Sequence, residues 1–86
     1  MPYIEPKRRR IFNRGLEGLM NTNFIEKGDL TYCAYKLGID YINQKGIKYQ
    51  HISDAVSALN DAAEEIRRRV MFHYEDRKIK ENGDII

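Results

Sequence analysis

The sequence predicts an all-α fold: a single domain over residues 1–86 with three helices, the last of them long, packing into a homo-oligomeric helical bundle. Three observations predict it. Apolar residues recur at helical spacing through most of the chain. Turn-forming residues cluster at only a few points, which leaves long uninterrupted segments. The third segment is also longer than a three-helix monomer of this size can cover, so part of it needs another subunit or stands in solvent.

Composition narrows the class. With 42% hydrophobic and 33% charged residues the chain has too much apolar content for disorder and fits a helical domain with charged outer faces. A chain of 86 residues buries only about 60–65% of its unfolded surface, so it gains from disulfides, metals or oligomerisation. Cys33 stands alone, which rules out an internal disulfide and leaves a structural zinc site without a set of thiols. No cofactor is implied. No stretch is apolar for long enough to span a bilayer, and the N-terminus carries charges where a signal peptide has its apolar core, so a cytoplasmic location is expected.

The first helix is expected over about 6–21. Pro6 suits its opening turn, Phe12, Leu16 and Leu19 share one face, and "NTN" ends it. Gly15 and Gly18 lower its propensity by about 1 kcal/mol each and suggest a close backbone approach. The second helix, about 29–45, is read with Asp29 as its N-cap and Gly46 just past its end. It carries two apolar stripes, Leu30, Cys33, Ala34, Leu37, Tyr41 and Tyr32, Tyr35, Ile39, Ile42, and so calls for two partners.

The third helix, about 51–81, gives the strongest signal. Ile52, Val56, Leu59, Ala63, Ile66 and Val70 follow one another at spacings of four and three, a heptad seam, and with Tyr74 they form the expected interface between subunits. Ala55, Ala58 and Ala62 form a neighbouring small-residue strip suited to close helix packing. Glu64–Arg68 and Glu65–Arg69 are expected as i,i+4 pairs, with Asp76–Lys80 and Arg77–Glu81 further along, and Asn82-Gly83 ends the helix. Strand patterning is confined to "PYI" and "DII" at the two ends.

Charge is small in total, +2, but uneven. Residues 1–20 hold +3, residues 21–60 cancel, and residues 61–86 hold −1. Arg8, Arg9 and Arg10 sit in a first helical turn, against the macrodipole, which a solvated face tolerates and a phosphate-binding end would use. Continuing the heptad count past Val70 reaches His73 and then Arg77. Arg69, His73 and Arg77, converging with basic residues of a neighbouring subunit, then form a second candidate anion site, while a helix end simply leaving the core is the plainer reading. The small total charge and the lack of helix-turn-helix spacing make duplex DNA a poor candidate partner. Asp61 with Glu64 or Glu65 could hold magnesium in a small nucleotide pyrophosphohydrolase, but the second helix offers no facing carboxylate pair, and a salt-bridged outer face explains them more simply. No nucleophile–base arrangement or glycine-rich phosphate loop is present, so no catalytic residue is assigned.

The opening "MPYI" and the closing "YEDRKIKENGDI", preceded by "ALNDAAEEIRRRV", resemble a family of small phage and prophage proteins of uncharacterised function. Tyr74, Glu75, Asp76, Lys78, Ile79, Glu81, Asn82, Gly83 and Asp84 match its closing pattern, and Arg68 and Arg69 occupy its arginine pair. "GDLTYCAYKLG" matches loosely. "MFH" at Met71–His73 departs from a proline-containing triplet, which argues against His73 as a site shared by the family. The resemblance implies a phage or mobile-element origin and no activity. The expected function is a non-enzymatic binding protein, acting against a host defence by sequestering an anionic nucleotide-type ligand or by binding a host protein. A virion or assembly component and a small metal-dependent hydrolase are the alternatives.

Overall fold

The computed structural model describes residues 2–86; Met1 of the opening "MPYI" lies outside the described residues. Those described form an all-helical chain, with no strand at "PYI", "DII" or elsewhere.

Helix α1, Pro6–Met20, starts on Pro6 with Glu5 as its cap residue, whose carbonyl accepts from Arg8 N (2.9 Å) and Arg9 N (3.1 Å). Its first turn holds no acidic residue, so the three arginines there do oppose the macrodipole. Helix α2, Lys27–Lys45, begins two residues earlier than expected, because Asp29 acts from inside the helix. The cap residue is Glu26, in extended conformation, and the Asp29 carboxylate at the third helical position reaches back to accept from Ile25 N (2.8 Å) and Glu26 N (3.3 Å).

Gly46 ends α2 with φ of 102°, its N–H donating to Ile42 O at 2.8 Å. Its own carbonyl accepts from His51 Nδ1 at 2.8 Å, which fixes that ring nitrogen as the protonated one. A side chain at this φ is strained by about 1–3 kcal/mol. Gly46→Ala is therefore expected to lower the melting temperature by several degrees, about 4–8 °C per kcal/mol for a domain of this size. An unchanged melting curve would show that the loop relaxes freely.

The chain then turns within three residues into a single rod. Helix α3, Tyr49–Ile66, starts two residues ahead of expectation because Lys48 takes the cap position, its carbonyl accepting from Ile52 N at 3.1 Å. A π-helical turn, Arg67–Met71, follows without a break and leads into α4, Phe72–Asn82. Gly83, with φ of 86°, closes the rod as expected from "NG". These 34 residues span about 50 Å at 1.5 Å each, matching the longest dimension of the molecule, 50 Å.

Helix α2 packs antiparallel on α3: Leu37, Gly38 and Tyr41 lie opposite Asp54, Ala55, Ala58 and Leu59. The small-residue strip carries this contact. Gly38, and not Gly15 or Gly18, is the glycine of close approach. A Cβ at Gly38 would stand 3.4 Å from Leu59 Cδ1, whereas nothing lies within 4 Å of one at Gly15 or Gly18. Helix α1 stands off, leaving a groove of about 670 Å³ lined by Pro2, Ile4, Phe12, Leu16, Leu19 and Leu37 among others. Neither α1 nor α2 packs along residues 67–82.

Little is buried. Ala55 is the one buried apolar residue among those described, and the heptad seam stays open, with Ile66 60% and Val70 62% exposed. The accessible surface is 8050 Å² for 10.2 kDa, where a compact monomer of that mass shows about 5,300 Å². The radius of gyration is 16.6 Å against about 12 Å for a compact domain of this length. The excess, about 2,700 Å², is of the size that obligate interfaces cover.

Candidate functional site

The sequence places arginines at both ends of the chain, and the structure groups them differently from a single cluster. Arg69, His73 and Arg77 do converge. With Val70, Asp76 and Lys80 they line one open depression of about 430 Å³ on the rod beyond α3. The spacing of Arg69, His73 and Arg77, four and four, with Lys80 three residues further on, marks one helical face, and the seam residue Val70 borders it. The π-helical turn Arg67–Met71 leads into this stretch.

Three cations against one carboxylate make the depression net positive, with the His73 imidazole beside them. Guanidinium groups offer paired donors that match phosphate or carboxylate oxygens. The depression sits on a single exposed helix of the subunit.

Arg8, Arg9 and Arg10 lie elsewhere. Arg9 Nε donates to Ile4 O at 2.7 Å and its side chain borders the apolar groove beside α1, not the depression on α4. The link between the two regions is Tyr3, which sequence reasoning missed. Its hydroxyl donates to the Glu65 carboxylate, and the Arg69 guanidinium stands 5.5 Å from the centre of its ring. The segment before α1 is thus tied to the rod next to the candidate site.

Glu64 and Glu65 of α3 are engaged by neighbouring cations. Pairing runs one residue shorter than expected: Glu64 with Arg67 and Glu65 with Arg68, the latter through Nε at 3.1 Å and Nη2 at 3.0 Å. Further on, Lys78 pairs with Glu81 at 3.2 Å, while Arg77 and Lys78 lie 5.6 and 5.5 Å from the Tyr74 ring centre. Among the described residues no group of three or more His, Cys, Asp or Glu is placed to hold a metal ion, and no helix is long and apolar enough to cross a membrane.

The hydrogen bond from Arg68, with that from Tyr3 second, holds the Glu65 carboxyl down at about 2, and the same carboxylate raises the Arg68 guanidinium. The folded value lies below the ordinary 4.5, so this tie is fully present above pH 4.5 and is lost as pH falls towards 2. The Tyr3 ring resonances of the folded chain are expected to hold steady from pH 7 to about 3 and to move as the pH approaches 2. Glu65→Gln should shift them at pH 7. Tyr3 signals indifferent to both changes would show that the arm is not docked.

Residues 1–85 match the domain of unknown function DUF6899, and the chain belongs to that family. No curated protein and no solved structure matches it.

Proposed function

We propose that this member of the DUF6899 family is a non-enzymatic, homo-oligomeric binding protein of phage origin, which holds an anionic, nucleotide-type ligand and so counters a host defence signal. The observation that carries the reading is the gathering of Arg69, His73, Arg77 and Lys80 around one depression on the part of the rod beyond α3, where neither α1 nor α2 packs. The exposed seam and the excess surface support the oligomer. The closing residues Tyr74–Asp84, through their resemblance to phage proteins, support the origin. The large exposed apolar surface also favours a second reading, a subunit of a virion or assembly complex that takes no small ligand. The hydrolase alternative has less behind it, since Glu64 and Glu65 are each engaged by an arginine.

Thermal-shift screening against nucleotides and cyclic dinucleotides, with and without magnesium, tests the proposal. A ligand at a hundred times its Kd stabilises by about 2.7 kcal/mol, a rise of ten degrees or more for a domain this small. Arg77→Glu with Lys80→Glu should abolish that rise. No shift with any nucleotide would sink the ligand and favour the assembly reading or a host protein partner. Magnesium-dependent loss of the ligand would favour the hydrolase.

A further inference from the structure

The uncovered seam runs along a rod whose two halves differ in sign. Residues 49–66 contain Asp54, Asp61, Glu64 and Glu65 and no lysine or arginine, a net charge of −4. Residues 67–82 contain Arg67, Arg68, Arg69, Arg77, Lys78 and Lys80 against Glu75, Asp76 and Glu81, a net charge of +3. The helix dipole favours this order within one chain, and it also constrains how two chains can meet.

We propose that the seam is covered by the rod of a second copy of this chain, running antiparallel, with the twofold axis near Ile66. The intrachain contact leaves most of that face free: α2 lies against Ala55, Ala58 and the seam's Leu59, and Tyr3 docks at Glu65 and Arg69, while Ile52, Val56, Ile66 and Val70 stay exposed. An antiparallel pair lays each acidic half beside the partner's basic half and opposes the two macrodipoles. A parallel pair would lay the two +3 halves side by side over their whole length, within a Debye length of about 8–10 Å. Helices in contact have axes only 8–10 Å apart, so this difference is felt. The occupant is a second copy because the chain exposes about 2,700 Å² more than a compact monomer, an amount obligate interfaces cover.

The proposal rests on the oligomeric part of the proposed function and is independent of the ligand. Nitroxide labels placed on the full chain in a Cys33→Ser background test it by interchain distances. At 1.5 Å per residue, labels at Asn82→Cys should lie about 50 Å apart, and labels at Asn60→Cys about 20 Å apart. If Asn82→Cys does not fold, Lys80→Cys should give about 45 Å. Short distances at both positions would establish a parallel pair and overturn the proposal. An oligomer by sedimentation with no short distance at Asn60 would place the interface elsewhere, and a monomer would remove both the pairing and the oligomer. A negative nucleotide screen leaves these distances unaffected, so the ligand and the pairing fail separately.

Discussion

With the seam covered by a second copy as proposed, Ile66→Asp is expected to give a monomer or to unfold the chain. Within one subunit Ile66 is 60% exposed, and a substitution at such a site on an isolated helix changes stability by about 0.5 kcal/mol or less. In a covered seam the same change buries an unpaired carboxylate, which costs about 3 kcal/mol or more. Each 1.4 kcal/mol is a factor of ten, so association should weaken by more than a hundredfold. The two situations predict effects differing severalfold in energy, which sedimentation velocity combined with urea unfolding reads directly. Asn60→Asp, on an exposed position of the same helix, adds a carboxylate at a site the seam does not use and should leave the mass distribution unchanged. A folded, monomeric parent protein would remove the basis of this expectation.

Much of the fold was legible in the sequence because it is set by local rules. Pro6 opens α1, and Gly46 and Gly83 close α2 and the rod at positive φ, as their chemistry requires. The four–three spacing gave the long helix, and Ala55 and Ala58 gave the side where α2 packs. The errors came where side chains chose between equivalent local solutions. Asp29 is a good cap residue, but it serves from the third helical position because Glu26 is available in extended conformation. Glu64 and Glu65 reach arginines three residues on instead of four, a choice periodicity cannot make. Nothing in "RRRVM" announces the π-helical turn, whereas the spacing of Arg69, His73 and Arg77 was legible and the structure brings the three together. Lys80 could have been included, since it continues the spacing of Arg69, His73 and Arg77 around one face. Tyr3 could not: its partner Glu65 is 62 residues away, and only the folded chain brings them together.

Deleting residues 75–86 is the second change with a large expected effect, and it decides whether the end of the rod is an interface or a solvated tail. In the subunit α4 packs on no other helix; its contacts run back into the π-helical turn. The Lys78–Glu81 pair is exposed on both sides, and such pairs contribute under about 1 kcal/mol. Arg77 and Lys78 lie over Tyr74 within the same helix. An isolated subunit should therefore lose little beyond the removed turns, and mean helicity per residue should stay close to that of the parent. An isolated helical extension of this length is only marginally stable in water, because nucleation is costly and tertiary burial usually supplies the stability of a helix. Its continuation to Asn82 with Phe72, Tyr74 and Ile79 half-exposed is what a segment awaiting a partner looks like. If that partner is another subunit, the truncated protein should sediment at a lower mass with nearly unchanged circular dichroism per residue. It should also lose any nucleotide-induced thermal shift, since Arg77 and Lys80 are removed. An unchanged mass with a lost shift would keep the binding site and reject the tail as an interface. An unchanged mass with an unchanged shift would make residues 75–86 a solvated helix end with neither role.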